Sequence, residues 1–307
     1  AKFGAAALRL FLGDDSLKDV VQDYIWNICE ETTWVLPAHE TRRIDLFSAE
    51  TGLMLAEAVN MLGDALDAEV RHRVRQEIET RIFDPYMRHR ELEWWYTGHN
   101  NWNGVCNSSV AMTFLLLEPD LARTAQAVQY ALHGLKVFLL TAFEEDGTST
   151  EGPGYWGYGL LNFVPLSEML RARSHGQIDL LQGEHMRLIA GYPGKVRLSG
   201  SMYASFSDSH DETHYNPGIL VRMAERTGET SLLDLLTYVP GRQGEWRVGI
   251  YLRNLLWWDG TLSPERPVTD AYLAKGAVAR MVSTTTDGKQ VVVAIKAGHN
   301  AENHNQN

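Results

Sequence analysis

Residues 98–107 concentrate amide side chains in the sequence GHNNWNGVCN, which holds four asparagines and one histidine. Asparagine is a favourable helix cap, so part of this set is expected to serve the backbone at the start of a helix. A primary amide also donates and accepts hydrogen bonds, which lets it hold a sugar carboxylate without adding a proton-transfer group. The segment therefore predicts a helix cap or a carboxylate-binding site.

Residues 146–159 combine glycines and a proline with aromatic hydroxyls in the sequence DGTSTEGPGYWGYG. Glycine and proline at this density are typical of a loop that bends sharply. Two tyrosines then follow at the expected start of a helix, and loops of this kind frequently carry functional side chains. The segment therefore predicts a tyrosine hydroxyl placed for proton transfer, with aromatic rings that suit a sugar-binding groove.

Residues 203–214, YASFSDSHDETH, bring serine, aspartate and histidine together. The nucleophile elbow of a hydrolase, with its strand-turn-helix context, is absent from this stretch, which disfavours a catalytic triad. A loop in which acidic neighbours hold His210 in one tautomer fits the pattern better. The spacing from His210 to His214 could suit a metal, but no third ligand stands nearby in sequence.

Residues 297–307, AGHNAENHNQN, follow an apolar run that is typical of a strand. Two histidines, His299 and His304, stand there among amides and a glutamate. Such a set at a strand end predicts a metal site or a loop that faces a substrate.

The elements that must position these four stretches are helices over most of the chain. Apolar residues recur at helical spacing up to residue 257, with short polar loops between the periodic segments. Such an order implies a bundle, a solenoid or a toroid of paired helices, and the lack of a strict short repeat disfavours a consensus solenoid. The predicted helices cover residues 16–31, 42–63, 67–90, 104–117, 121–143, 156–173, 214–227 and 244–257.

The pattern of residue types changes after Pro267, from helical spacing to β-rich runs. Residues 277–282 and 291–295 are β-rich runs that flank Thr286-Asp287-Gly288-Lys289, a favourable hairpin turn. An isolated hairpin is marginally stable, so these strands are expected to pack on the helical part or to belong to a larger sheet. The boundary between the two parts is predicted within residues 259–269.

Charge and hydropathy exclude some classes of protein. The chain has 307 residues, and 28 basic against 39 acidic residues give a formal charge of −11, which argues against nucleic acid as a partner. No apolar run approaches the roughly 20 residues that span a bilayer, so no membrane partner is predicted. Two cysteines, Cys29 and Cys106, are too few for a disulfide framework and are expected to be buried thiols.

Taken together, the four stretches resemble the heparinase II/III superfamily of polysaccharide lyases, which includes oligoalginate lyases. The most specific parts are EGPGYWGYG at 151–159 and HNAENHNQN at 299–307. The resemblance implies a mainly α fold, in which an incomplete (α/α) toroid over residues 1–260 precedes the start of an antiparallel β-sandwich over 268–307. It also implies an active site in the cleft between them, a chain truncated at both ends, and a periplasmic or secreted protein.

The reaction that the resemblance implies is β-elimination on a polysaccharide that contains uronic acid. The C5 proton is removed and the 4-O-glycosidic bond breaks without water. Such a reaction needs a group that neutralises the sugar carboxylate, a base at C5 and an acid at the leaving oxygen. The implied partner is therefore an acidic polysaccharide or oligosaccharide of the glycosaminoglycan or alginate type.

The resemblance also assigns roles to residues of this chain. Tyr158 is the first choice for the catalytic acid, a residue that can also serve as the base, and Tyr155 is the alternate. Asn101, together with Asn100 or His99, would hold the sugar carboxylate. His304 would close the cleft, with His210 as a second assisting histidine. No metal or cofactor is expected, because Gln306 stands where some members carry a zinc-binding histidine. The expected substrate-binding residues are His99, Asn100, Trp102, Asn103, Glu151, Trp156 and His299.

Three other functions remain open at this point. A toroidal glycoside hydrolase would use two carboxylic acids and a water nucleophile, for which Glu151, Asp208 and Asp211 are candidates. A uronyl epimerase would remove the same C5 proton and return it to the other face of the sugar. A carbohydrate-binding or helical scaffold protein would carry out no chemistry.

Overall fold

The computed structural model of the protein describes residues 2–40, 42–237, 245–264 and 266–298. The fold is mainly helical, with a small antiparallel sheet of three strands near the C-terminus. The helices are α1 (Lys2–Phe11), α2 (Lys18–Glu30), α3 (Leu46–Leu62), α4 (Ala68–Ile78), α5 (Asp84–His89), α6 (Asn101–Leu117), α7 (Leu121–Thr141), α8 (Pro153–Arg173), α9 (Glu184–Val196), α10 (Pro217–Thr227) and α11 (Val248–Trp257). The strands are β1 (Arg197–Ser199), β2 (Met202–Tyr203), β3 (Ala271–Leu273), β4 (Val278–Thr284) and β5 (Gln290–Lys296).

The predicted helices and the two predicted strands are present, with ends that differ by a few residues. The predicted hairpin between the strands is also present, and Gly288 occupies its left-handed position with φ of 81°. Two helices, α1 and α9, were not anticipated, nor were the short strands β1, β2 and β3. The mainly α character of the fold is therefore confirmed.

The predicted helix at 67–90 contains a π-helical turn. Glu79–Phe83 forms this turn between α4 and α5, and Pro85 follows it in the first turn of α5. Proline lacks the N–H that an α-helix needs, and its ring crowds the carbonyl four residues earlier, so a wider turn before Pro85 relieves the conflict. Ile82 on this turn packs against α3 so closely that a Cβ on Gly52 would lie 2.9 Å from Ile82 Cγ1.

The chain forms two compact units. The first comprises residues 1–98, 102–136 and 240–255. Its core includes both cysteines, which are buried as expected, and burial raises the pKa of each thiol. Buried ion pairs also contribute here, because Arg247 Nη1 lies 2.8 Å from Glu50 Oε1.

The second unit comprises residues 99–101, 137–239 and 256–307. It contains α8, α9, α10 and both sheets. The division that the sequence suggests, a helical domain over 1–260 and a β domain over 268–307, stays a prediction.

The sheet β3-β4-β5 has two different faces. Residues that stand opposite each other across an antiparallel pair share a face, so the pairing of Met281 with Val293 and of Ala279 with Ile295 identifies one side. Met281, Val293 and Ile295 are exposed on that side. On the other side, Val278 and Arg280 are buried within the second unit.

Within the described ranges, no helix combines the length and the apolar character that crossing a membrane would require.

Candidate active site

The loop before α8 is held in place by a glycine that no other residue could easily replace. Gly152 caps the helix with φ of 90°, a left-handed conformation that favours glycine. A Cβ at this position would also approach the carbonyl oxygen of Phe206 to 2.8 Å. Pro153 begins the helix, where its missing N–H costs no hydrogen bond, and its carbonyl accepts a hydrogen bond from the Tyr215 hydroxyl at 3.2 Å. The glycine-rich stretch thus packs directly on the loop that contains residues 206–209.

Asn101 and Glu151 form a buried pair in the second unit. Both side chains are 2% exposed. Asn101 donates to Glu151 twice, from its backbone N–H to Oε2 at 2.6 Å and from Nδ2 to Oε1 at 3.0 Å. Because Asn101 is the first residue of α6, its backbone N–H has no acceptor within the helix. A carboxylate from a distant loop therefore caps this helix, at the end where the helix dipole favours a negative charge.

Glu151 has an unusual acidity in this position. Burial raises the pKa of its carboxyl from 4.5 to about 7, while the two hydrogen bonds from Asn101 act in the opposite direction. The Oδ1 atom of Asn101 accepts no hydrogen bond within the described residues. Glu151 can thus exchange a proton near neutral pH, next to an amide that has unused hydrogen-bonding capacity.

Tyr155 and Tyr158 lie on the first two turns of α8, three residues apart and therefore on one face of the helix. Both are half-buried. The Tyr155 hydroxyl donates to Asp208 Oδ2 at 3.2 Å. Burial raises the pKa of Tyr155, and the charge of Asp208, the hydrogen bond to Asp208 and the charge of Glu151 add to the effect. Tyr155 is thus kept in its protonated, proton-donating form.

Sequence reasoning did not identify Lys296, the last residue of β5. Its Nζ lies 3.3 Å from Ser207 Oγ, in the loop that packs on Gly152. Ser209 of the same loop accepts a hydrogen bond from the backbone N–H of Gly154 at 3.3 Å. The only signal in the sequence was the position of Lys296 at a strand end, which is too common to single out a residue. A positive charge thus lies beside the loop that carries Asp208.

One aromatic residue and one amide residue of the expected substrate-binding set make contacts inside the protein. Trp156 is 2% exposed, and its indole N–H donates to the carbonyl of Ile189 at 2.8 Å. Asn103, in the first unit, is fully buried and donates from Nδ2 to the carbonyls of Gly98 and Gly134. Both side chains therefore bond within the protein, and their role as substrate contacts stays a prediction.

The remaining expected residues are placed as follows. Trp102, in the first unit, is half-buried and packs edge-on against His39, with ring centroids 4.8 Å apart. In the second unit, Asn100 is half-buried, whereas His99 and His210 are exposed. The acidic neighbours expected to fix His210 make no hydrogen bond with its ring in the part of the chain that the structure describes. His299 and His304 lie outside the described residues.

The described residues contain no group of three or more histidines, cysteines, aspartates or glutamates that could hold a metal ion. No protein-family model matches the chain, and no curated protein matches it. The site is therefore defined by two hydrogen-bonded pairs of the second unit, Asn101 with Glu151 and Tyr155 with Asp208. The charge of Glu151 contributes to the raised pKa of Tyr155, and Tyr158 lies on the same helix face as Tyr155.

Proposed function

We propose that this chain carries the active site of a polysaccharide lyase, which cleaves a polysaccharide containing uronic acid by β-elimination. The fold in this proposal is an incomplete (α/α) toroid followed by the start of a β-sandwich. The observation that carries the proposal is the contact between Asn101 and Glu151, next to a tyrosine whose pKa responds to the charge of Glu151. This elimination requires a group that neutralises the sugar carboxylate, an acid and a base. Asn101 would be the neutralising amide, the protonated Tyr155 suits only the acid, and the base is assigned to Tyr158.

Asn101 is the group that would hold the sugar carboxylate. In the ionised state of Glu151, Asn101 Nδ2 donates to it. A second carboxylate bound close by would raise the pKa of Glu151 further, because like charges oppose each other. Glu151 would then take up a proton on substrate binding. Its O–H could donate to Asn101 Oδ1 after rotation of the amide, which would turn the Nδ2 hydrogens towards the sugar.

The tyrosines supply proton transfer in this proposal. Tyr158 is the first candidate for both roles. As the base it would first lose its own proton to solvent, then take the C5 proton as a phenolate, and then donate that proton to the leaving 4-oxygen. Tyr155 is the alternate, and its raised pKa suits a proton donor better than a base. His210, His304 and His299 are the histidines that would assist.

The test uses the absorbance of the unsaturated uronic acid that only an elimination produces. The protein is incubated with heparan sulfate, chondroitin, hyaluronan and alginate, alongside Tyr158→Phe and Tyr155→Phe. Tyr272→Phe, which alters an exposed tyrosine on β3, is the matched control. We expect absorbance to rise with one substrate class for the wild type and the control. Tyr158→Phe should lose at least about 100-fold in rate, the usual contribution of a general acid or base. A Tyr158→Phe variant of normal activity would contradict that residue's role.

A toroidal glycoside hydrolase is the second candidate, because a glutamate with a pKa of about 7 is also suited to general-acid catalysis. Glu151 would then be the acid and Asp208 or Asp211 the base. New reducing ends without the ultraviolet signal would identify this reaction. The absence of both the ultraviolet signal and new reducing ends would favour a uronyl epimerase or a carbohydrate-binding protein.

A further inference from the structure

Two arginines are buried side by side in the second unit. Arg197 begins β1 and Arg280 lies on β4, and their exposed fractions are 4% and 5%. Arg280 donates from Nη1 to the carbonyl of Arg197 at 2.5 Å and to that of Gly194 at 2.8 Å. Its Nε donates to the carbonyl of Thr269 at 2.8 Å. The Arg280 guanidinium is therefore held by three backbone oxygens, one of which belongs to Arg197.

Neither arginine has an acidic partner within 4 Å among the described residues. Arg197 donates from Nη2 to the carbonyl of Arg266 at 3.2 Å, but its Nε and Nη1 have no acceptor in the described part of the chain. Burial and the charge of Arg197 together lower the pKa of Arg280 to about 10, while the charge of Asp270 acts in the opposite direction. Unpaired buried charges are costly, which is why buried ions in proteins are nearly always paired.

A cavity of about 330 Å³ is lined by both guanidinium-bearing residues and by Lys195. Three acidic residues, Glu229, Asp234 and Asp270, also contribute to its walls.

Each of these acids already has a partner. Glu229 Oε2 lies 3.1 Å from Arg187, and Asp234 lies 3.0 Å from Arg266. Asp270 Oδ1 accepts a hydrogen bond from the backbone N–H of Val282 at 2.7 Å. Glu229 and Asp234 are thus paired with other arginines, whereas the charge of Asp270 acts on Arg280 without a contact within 4 Å, so neither guanidinium has a direct ion pair among the described residues.

We propose that this cavity is an anion site, in which Arg197 and Arg280 bind a sulfate or phosphate group. A planar guanidinium offers several N–H donors in a geometry that matches such oxyanions, and charge-assisted hydrogen bonds of this type are among the strongest in proteins. The bound anion supplies a counter-charge to both arginines, which line the cavity. This site does not depend on the lyase activity, because it shares no residue with the Asn101–Glu151 pair.

The anion can come from two sources that share this chemistry. One is the free inorganic ion. The other is a sulfate group on a sugar, since about 330 Å³ exceeds the volume of a single ion and leaves room for a ring.

The test is titration calorimetry of the wild-type chain with sodium sulfate and sodium phosphate, in sodium chloride at matched ionic strength. Two variants, Arg197→Met and Arg280→Met, keep an unbranched apolar stem but remove the guanidinium and its charge. Arg88→Met is the control, because Arg88 is an exposed residue of α5. We expect one anion per chain for the wild type and the control, and an affinity that is lower by about tenfold or more in each variant. Equal binding by all four proteins, or no binding by the wild type, would overturn the proposal.

A second measurement covers variants that fail to fold. A crystal of the wild-type chain soaked in selenate should give an anomalous peak between the two guanidinium groups, and a peak elsewhere or none would overturn the proposal. A sulfated monosaccharide and its unsulfated counterpart separate the two sources. Tighter binding of the sulfated sugar than of inorganic sulfate identifies a sugar sulfate as the ligand, and the reverse identifies the free ion. Binding of the unsulfated sugar with equal affinity would contradict an anion site.

Discussion

At the scale of single residues, the contact between Asn101 and Glu151 links a protonation state to a hydrogen-bond pattern. Glu151 ionises at about pH 7 in the folded chain and at about 4.5 when it is free of the fold. The folded state therefore binds the proton more tightly than the unfolded state. By linkage, the free energy of unfolding falls as pH rises from about 4.5 to about 7, by up to roughly 3 kcal/mol, and then levels off.

Glu151→Gln should remove this pH dependence. The introduced amide can accept from the Asn101 backbone N–H and donate to Oδ1 of a rotated Asn101 side chain, so it imitates the protonated glutamate. We expect the free energy of unfolding of the variant to vary less than that of the wild type between pH 5 and 7, and to exceed it at pH 8. Urea denaturation at several pH values measures both quantities.

Glu69→Gln is the control for this experiment, because it changes an exposed glutamate on α4. The free energy of unfolding of the control should depend on pH in the same way as that of the wild type. A Glu151→Gln variant with an unchanged slope would mean that Glu151 does not titrate in this range.

At the scale of elements, the start of α8 depends on a close approach between two loops. Gly152→Ala would introduce a Cβ 2.8 Å from the carbonyl oxygen of Phe206, at a residue with positive φ. We expect destabilisation by about 2 to 4 kcal/mol from the contact and the backbone strain combined. The proposed lyase activity should fall by a larger factor than the loss of folded protein explains, since Tyr155 and Tyr158 lie on the helix that Gly152 caps.

The matched control is Gly176→Ala. Gly176 has φ of 84°, but nothing lies within 4 Å of a Cβ built there. It therefore reports the backbone strain alone, about 1 kcal/mol. Thermal unfolding of both variants separates the contact from the strain, and equal losses would show that the approach to Phe206 costs nothing.

The helices that sequence reasoning found and missed have a common explanation. Helices with regular apolar spacing, such as α7, were predicted because the signal is local. α9 was missed because Gly191, Pro193 and Gly194 have low helix propensity. In the structure, a Cβ on Gly191 or Gly194 would lie 3.4 Å from the Glu229 carboxylate or the Ser231 hydroxyl. Tertiary packing thus outweighs propensity here.

Local sequence signals were also insufficient to predict how the residues of the candidate site pair with one another. The stretches that contain Asn101, Glu151 and Tyr155 were recognised from their residue types. The start of α6 was predicted at residue 104, because the group that caps the helix is 50 residues away in sequence. Asp208 and Lys296 lie farther still from their partners. Local spacing therefore identified the participants but not their pairing.

At the scale of the whole molecule, the first unit is assembled from segments that are distant in sequence. Arg247 and Glu50 are 197 residues apart and form a buried ion pair. Arg253 and Glu57 form a second pair between α11 and α3. These contacts join residues 245–255 to the first unit, a grouping that chain order does not reveal.

Arg247→Met should destabilise the chain strongly. The buried Glu50 carboxylate, 4% exposed, would lose its guanidinium partner, and breaking a buried pair on one side typically costs about 3 to 5 kcal/mol. Replacing Glu50 by Gln in the same chain should restore part of this loss. Urea denaturation of the single and double variants measures the effect.

Lys289→Met is the comparison, because the pair between Lys289 and Asp287 is exposed. It should change the free energy of unfolding by less than about 1 kcal/mol. If Arg247→Met lowered the free energy of unfolding by no more than Lys289→Met, the contact between Arg247 and Glu50 would contribute no more than a surface ion pair.

The two-faced sheet has a consequence for the colloidal behaviour of the chain. β5 carries the uncharged run Val291–Ile295, exposes apolar side chains and pairs only with β4 among the described strands. Strand edges and apolar faces of this kind recruit further strands, which leads to self-association. The intensity of static light scattering should therefore rise more than in proportion to the protein concentration. A lysine in place of Val293 should reduce this growth, whereas a lysine in place of Ser283, an exposed polar residue of β4, should reduce it less.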